Sequence, residues 1–365
     1  MKKYLKYILL IVILVLGYKV GGKILDKLYL SRYDIIDYTG ETRYTTVNKS
    51  IEKKFKKSDT AILVNTDYLQ QAISIAPYAY SKNLPVFYIE KNRILPPTYD
   101  EMERLGVKKV ILIGGVNYIS NAVERSLDRY GYKYDRIIDS KGVNLSLNIA
   151  EKMNKDKKVS EIAVVSDDEM DLPNGISFIP YADVNNIPIF VTNNDEKDIL
   201  KIEEFARKNN IKKTYLIGND NYYNNNIEKI LPNVERIAGE DRYDVNRNIM
   251  NRFYKDKSIK KVFISKGGEL MHKRHIAVGQ LINALSVTPL AADSKAPLMY
   301  IQESYFSSDE AKIIKEKGYK EINQVGFRIE RRNFFNVERF KTLTTVLLVI
   351  IALVMAARVY RYKLR

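Results

Sequence analysis

Apolar and polar positions alternate along this chain in blocks rather than singly. Short β-branched runs occur at Ala61-Ile-Leu-Val64, Ile162-Ala-Val-Val165 and Val262-Phe-Ile264. Each is followed by a second apolar run that opens on proline: Pro85-Val-Phe-Tyr-Ile, Pro188-Ile-Phe-Val and Pro297-Leu-Met-Tyr-Ile. Charged stretches of helical character, such as Lys201–Asn209 and Asp309–Lys317, separate the later runs. Uninterrupted apolar strands alternating with helices predict βαβ crossovers and a parallel sheet covered on both faces. A proline at the first position of a strand removes no ladder donor, so the second runs remain good strands.

The blocks recur. Ala72-Ile-Ser74-Ile-Ala-Pro77-Tyr-Ala79 returns as Gly175-Ile-Ser177-Phe-Ile-Pro180-Tyr-Ala182 and again as Ala284-Leu-Ser286-Val-Thr-Pro289-Leu-Ala291. Further along each copy a glycine ends an apolar run, at Gly114, Gly218 and Gly326, and an asparagine follows at Asn121, Asn225 and Asn333. Glu124 and Glu228 stand three residues beyond the first two asparagines, a spacing that predicts helix starts with a capping box. Fixed offsets kept three times over identify an internal repeat of roughly one hundred residues. The repeats span 35–135, 136–235 and 236–338. The proline of Ser-x-x-Pro belongs in a first helical turn or makes a kink, and the pattern leaves both open.

The copies open on a polar signature and are unequal there. Gly40-Glu-Thr-Arg43-Tyr44 and Gly239-Glu-Asp-Arg242-Tyr243 agree, whereas the second copy, aligned through Arg136 and Arg236, carries Gly142-Val143 instead. The third copy has about ten extra residues around Gly267–Gln280, holding both histidines of the chain, His272 and His275.

Two hydrophobic ends flank the repeats. Residues 1–24 pair a basic start with the uncharged run Tyr7–Tyr18, which fits a signal peptide or a short signal anchor. Thr342–Ala357 is uncharged and apolar on every face from Val346 onward, and the basic tail 358–365 follows it. That pattern predicts a transmembrane helix with its C-terminus in the cytoplasm, placing the repeats outside the cell.

Charge changes this picture little. The formal net charge is +16, but Lys2, Lys3, Lys6, Arg358, Arg361, Lys363 and Arg365 supply seven of it, leaving +9 for the body. No stripe of Lys/Arg alternates with aromatics, so nucleic acid is not the expected partner. The absence of cysteine removes disulfides and thiolate chemistry. With two histidines three residues apart, no third ligand near them and no EF-hand spacing in Asp167-Asp168-Glu169-Asp171, no metal or cofactor is expected. Ser74, Ser177 and Ser286 lack a neighbouring base, so hydrogen bonds within a helix or loop suit them better than nucleophilic catalysis. Neither dinucleotide nor P-loop glycine spacing occurs, so Gly114-Gly115 and Gly267-Gly268 read as tight turns after strands.

Arg236-Ile-Ala-Gly-Glu-Asp-Arg-Tyr243, Asn283-Ala-Leu-Ser-Val-Thr-Pro-Leu-Ala-Ala292 and Val110-Ile-Leu-Ile-Gly-Gly115 together resemble the clostridial-type cell wall binding repeat 2 family. The resemblance implies three Rossmann-like α/β modules arranged as a triangular pseudo-trimer that attaches to anionic polymers of the Gram-positive wall. It implies a non-catalytic role. Candidate ligand-binding residues are Arg43, Tyr44, Arg242 and Tyr243, together with Pro85, Pro188 and Pro297, which open a hydrophobic run that is commonly Pro-Ile-Leu-Leu in the family and carries aromatics or Met here. Guanidinium forks suit phosphate or carboxylate, and tyrosines stack on sugar rings. The competing reading is that each arginine pairs with local acids and organises its own repeat. This chain departs from the family where the usual Asp before Ala-Leu-Ser is Gln71, Asn174 or Asn283.

The expectation is therefore a membrane-tethered wall-binding module, with an anionic cell-wall glycopolymer and the membrane as partners. Two alternatives stand beside it: an envelope scaffold partnering another membrane protein, and a nucleotide-sugar-binding enzyme using the crevices at the strand ends.

Overall fold

The computed structural model describes residues 30–138, 143–218, 227–271 and 275–330. The predicted hydrophobic ends, 1–24 and 342–357, and the basic tail 358–365 lie outside these residues. No helix among the described residues is long and apolar enough to cross a membrane.

The first stretch runs β1 (Asp34–Asp37), α1 (Arg43–Lys54), β2 (Thr60–Asn65), α2 (Leu69–Ser81), β3 (Val86–Ile89), α3 (Pro96–Leu105), β4 (Lys109–Ile113), α4 (Asn121–Arg129). The order repeats as β5 (Lys133–Ile137), α5 (Val143–Asp156), β6 (Glu161–Ser166), α6 (Leu172–Asn185), β7 (Ile189–Thr192), α7 (Glu196–Lys208), β8 (Lys213–Ile217), α8 (Ile227–Ile230). It repeats again as β9 (Val234–Ile237), α9 (Arg242–Phe253) and β10 (Lys261–Lys266). A hairpin of β11 (Leu270–Met271) and β12 (His275–Ile276) then fills the extra length of the third copy. The chain ends this round with α10 (Val278–Asp293), β13 (Leu298–Ile301), α11 (Ser308–Lys317) and β14 (Glu321–Gln324).

These strands build three four-stranded parallel sheets, in the orders β3-β2-β4-β5, β7-β6-β8-β9 and β13-β10-β14-β1. The central strands β2 and β6 are buried along almost their whole length, as expected for sheets flanked by helices on both faces. Each copy gives its opening strand to the sheet of the copy before it. β5 joins the first sheet, β9 the second, and β1 closes onto β14 of the third, pairing Asp34 with Glu321 through Asp37 with Gln324. The ring of three units is thereby closed through strands from opposite ends of the chain.

The opening helix follows a different rule. It covers the far edge of its own sheet, α1 against β3, α5 against β7 and α9 against β13. It also packs on the Ser-x-x-Pro helix of the preceding unit, α5 on α2, α9 on α6 and α1 on α10. An exposed strand edge invites pairing with another chain, so this cover protects the sheets. In the second and third units a side chain of this helix bonds the edge strand directly. Asn246 donates to the Leu298 carbonyl at 2.8 Å and accepts from the Tyr300 amide at 2.9 Å, while Ser146 accepts from the Val191 amide at 3.0 Å.

The open question over Ser-x-x-Pro is resolved in favour of the helix body. Pro77, Pro180 and Pro289 sit inside α2, α6 and α10, and each helix continues past its proline. An interior proline costs about 3 kcal/mol through its missing donor and ring clash. Burial offsets that cost: α2 packs on α6 and α6 on α10, and α6 is buried without a break from Leu172 to Pro180. Ser74, Ser177 and Ser286 donate to their own helix, to the carbonyls of Gln70, Asn174 and Asn283 at 3.1, 2.8 and 2.7 Å.

Where these helices meet, Asp183 is 5% exposed and neither carboxylate oxygen has a hydrogen-bond partner. Burial pushes its carboxyl well above the usual range, against the opposing pull of Lys54. Lys54 itself pairs with Asp293 at 2.5 Å. A carboxyl whose folded pKa is raised costs nothing while both states are protonated, below about pH 4. The cost then grows as pH rises toward the folded value. Asp183→Asn is expected to raise the thermal midpoint at pH 7.5 and to change it little at pH 4. An equal shift at both pH values would refute this assignment.

Candidate functional site

Arg43 and Tyr44 occupy the first turn of α1. Thr42 caps that helix, its hydroxyl accepting from the Thr45 amide while the Thr45 hydroxyl accepts from the Thr42 amide. The cap directs Arg43 along the C-terminal end of the first sheet. Its Nη2 donates to the Tyr44 hydroxyl at 2.8 Å, and the guanidinium lies 4.9 Å from the Tyr44 ring centroid. The buried Tyr44 in turn donates to Glu90 Oε1 at 3.3 Å, and Arg93 Nε donates to Glu90 Oε2 at 2.6 Å. Glu90 follows β3 directly. The Arg93 hydrogen bond, helped by Tyr44 and the Arg43 charge, holds its carboxyl below the usual range. Arg93 thus bonds the carboxylate directly and Arg43 lies one hydroxyl away at an accessible rim, so two cations stand against one anion there.

The third unit uses the same positions differently. Asp241 caps α9, accepting from the Tyr243 and Asp244 amides at 2.8 Å. Arg242 Nη1 donates to the Gly267 carbonyl at 2.8 Å and to that of Gly268. A Cβ on Gly267 would lie 3.2 Å from both Arg242 Cδ and Tyr243 Cε1, so the glycine lets the loop close over the pair. Burial pushes the Tyr243 hydroxyl up, with the Glu269 charge adding to it. Arg242 therefore braces the loop after β10, while Arg43 faces a carboxylate-bearing rim.

Pro85, Pro188 and Pro297 stand at the opposite, N-terminal ends of β3, β7 and β13. All three are buried. Their carbonyls accept from the Ile62, Ala163 and Phe263 amides at 2.9, 3.0 and 3.0 Å. The structure does not bring them together with Arg43, Tyr44, Arg242 or Tyr243; the prolines and the Arg–Tyr positions lie at opposite ends of the strands.

The glutamates of the recurring Asn-x-x-Glu spacing have another task than capping. In α4 the cap is Ser120, which accepts from the Ala122 amide, and Asn121 is the first helical residue. Glu124 binds the copy-opening Arg136, whose Nε and Nη2 lie 3.1 and 2.7 Å from Glu124 Oε1. Arg136 Nη1 also donates to the Gly114 carbonyl at 2.6 Å. Glu228 and Arg236 repeat the pair at 2.9 Å. Two motifs far apart in a copy's description are one ion pair fastening the donated strand.

The acidic and histidine segments form no metal-ligand cluster among the described residues. No group of three His, Cys, Asp or Glu side chains there is placed to hold a metal. In the acidic Asp167–Asp171 segment, Asp168 accepts from the Met170 amide at 2.8 Å, and burial, then the Asp168 charge, raises the Asp171 carboxyl. His272 lies outside the described residues. Glu90 and Arg93 are rim residues that the repeat pattern passes over, and Arg136, which the pattern does mark, gains its partner Glu124 only in the fold.

Comparison with known proteins agrees with the inequality of the copies. Residues 38–124 and 236–327 match the family described as Cell wall binding domain 2 (CWB2), and the middle unit lies outside both stretches. Among curated proteins, the N-acetylmuramoyl-L-alanine amidase LytC of Bacillus subtilis is 26% identical over 289 residues, covering 79% of this chain and 54% of LytC. The Amidase enhancer of the same organism is 29% identical over 219 residues, covering 59% of this chain and 29% of that protein. The solved structures of Cwp6 and Cwp8 from Clostridium difficile superpose on 81% of this chain with TM-scores of 0.71 and 0.68, at 21% and 26% identity. This chain spans 46% and 50% of those two, so it corresponds to about half or less of each relative's length.

Proposed function

We propose that this chain, whose first and third units are cell wall binding domain 2 repeats, is a non-catalytic module that holds to an anionic glycopolymer of a Gram-positive wall. The observation that carries the reading is the rim at the C-terminal end of the first sheet, where Arg93 bonds Glu90 directly and Arg43 reaches it through the Tyr44 hydroxyl. Guanidinium groups bind phosphate or carboxylate bidentately, and the buried Tyr44 holds Arg43 in place at the rim. Arg242 is the second cation in the proposed path, and it keeps its carbonyl bonds while presenting its charge. The apolar segment 342–357 serves as the membrane anchor in this reading, and residues 1–24 direct export, so the repeats face the wall.

Co-sedimentation of the full chain with purified walls, before and after removal of their anionic polymers, tests this. Retention is expected at low salt, weakening with ionic strength as exposed charges are screened. Arg43→Ala combined with Arg242→Ala should lower retention about tenfold or more, since a charge-assisted hydrogen bond contributes about 1.5–3 kcal/mol. A circular-dichroism spectrum like that of the parent must accompany the loss. Equal retention on stripped walls would sink the proposal. The relative named Amidase enhancer supports a second reading, a scaffold that engages another envelope protein, and a chain that ignores walls altogether would favour it.

A further inference from the structure

A cleft of about 140 Å3 opens between the first and second units, lined by none of the Arg43 rim residues. Its walls come from both: Tyr68, Gln71, Ser74 and Tyr118 from the first, Leu145 and Asp167 from the second. Gln71 is 3% exposed, and both polar atoms of its amide lack a hydrogen-bond partner. Leaving a buried donor and acceptor unpaired costs about 1–3 kcal/mol each, so the bare cleft holds an unmet demand for one acceptor and one donor. Tyr68 and Tyr118 meet edge to face with centroids 4.5 Å apart, and Tyr68 remains 38% exposed. They form an aromatic wall beside the amide.

The cleft is held in shape by bonds between the units. Gln70 Nε2 donates to the Asp167 carbonyl at 3.0 Å, and the Ser74 and Ser146 hydroxyls lie 2.9 Å apart. Among the described residues no lysine or arginine lines it, and Asp167 is the one charged lining residue. A phosphate or carboxylate would be repelled there. The helix α5 that supplies its second wall starts at the buried Val143, where α1 and α9 carry Tyr44 and Tyr243. The cleft therefore coincides with the copy that lost its Arg–Tyr pair.

We propose that this cleft is a binding site for a single uncharged sugar ring, an unmodified hexose or N-acetylhexosamine, stacked on the Tyr68/Tyr118 wall and hydrogen-bonded through the Gln71 amide. A planar amide pairs with two neighbouring hydroxyls, one donating and one accepting. Aromatic faces take the apolar face of a pyranose. The volume suits one six-membered ring, since a cavity of about 150 Å3 in another protein holds benzene. The inference rests on the wall-binding reading only for the source of the sugar. The middle unit, on this account, exchanged an anion site for a neutral one.

Saturation-transfer NMR on the full chain with methyl glucoside and N-acetylglucosamine as probes, and glucose 6-phosphate as the charged control, tests the site. At least one uncharged probe is expected to give a signal that survives 0.5 M salt, and in the Arg43→Ala, Arg242→Ala variant, which lacks the proposed anion site, glucose 6-phosphate should be at least tenfold weaker. Gln71→Leu should abolish that signal and leave the thermal midpoint equal or higher, because it removes the unpaired amide. Tyr68→Ala should weaken it about tenfold. Arg43→Ala with Arg242→Ala should leave the sugar signal intact while changing wall retention, so the two proposals fail separately. No transfer to either uncharged probe, stronger binding of the phosphorylated sugar by the Arg43→Ala, Arg242→Ala variant, or a signal unchanged in Gln71→Leu would overturn the inference.

Discussion

Deleting residues 30–38 is expected to unfold the third unit first, although these residues open the first. β1 lies on β14 in parallel register, and the Asp34 and Tyr38 amides donate to the Lys320 and Gln324 carbonyls at 2.8 and 2.9 Å. Tyr38 is 5% exposed and its ring lies 6.2 Å from that of Phe263 in β10, while Tyr33 meets Phe306 edge-on at 6.1 Å. Burying an aromatic of this size contributes about 1.5–3 kcal/mol, and each paired backbone bond about 0.5–1.5 kcal/mol. The loss should exceed about 5 kcal/mol, a large part of the stability of a typical domain. Stripping β1 also leaves β14 as a bare edge, the kind that pairs with other chains. Urea titration followed by hydrogen exchange should show β10, β13 and β14 losing protection before β2 and β6. Appending 30–38 after residue 330 through a flexible linker should restore it. Uniform protection in the deleted chain would show that the ring does not depend on this strand.

Asn246→Ala is expected to cost about 2–4 kcal/mol, more than any other single polar truncation among the opening helices. Asn246 is 1% exposed and spends one donor and one acceptor on β13, the edge strand of the third sheet. Removing it leaves the Leu298 carbonyl and the Tyr300 amide unpaired under α9, each at about 1–3 kcal/mol. Ser146 holds the corresponding place over β7 with one bond to the Val191 amide, so Ser146→Ala should cost about half as much. In the first unit Val47 occupies the position and packs instead, which makes β3 the edge least dependent on a polar tie. Urea midpoints of the two variants against the parent measure the difference. An Asn246→Ala loss below about 1 kcal/mol would mean that α9 covers β13 by packing alone.

Much of the architecture is legible in the residue pattern because each unit's strands and helices are written in local terms. Uninterrupted apolar runs, prolines at the starts of β3, β7 and β13, and glycines ending β4 and β8 declare a parallel α/β unit before any contact is known. Position in the site is less legible. Arg43 and Arg242 share a motif, yet Arg43 meets a tyrosine hydroxyl and Arg242 meets backbone carbonyls. The difference lies in the loops after β3 and β10, where one unit offers Glu90 and the other Gly267-Gly268. The Asn-x-x-Glu spacing resembles a cap, and a nearer serine takes that role once the arginine of the next strand claims the glutamate.

The sequence by itself determined the repeat, the α/β class and the inequality of the three copies, since periodicity and fixed offsets act within one unit. Only the tertiary structure decided that each opening strand serves the preceding sheet, that β1 closes the ring, and that a cleft lined by Gln71 opens beside the altered copy. Backbone donors and acceptors are alike in every strand, so a short edge strand carries almost no record of its partner. That choice is made by which neighbouring edge offers an apolar face and an ion pair when the units meet, as Arg136 finds with Glu124.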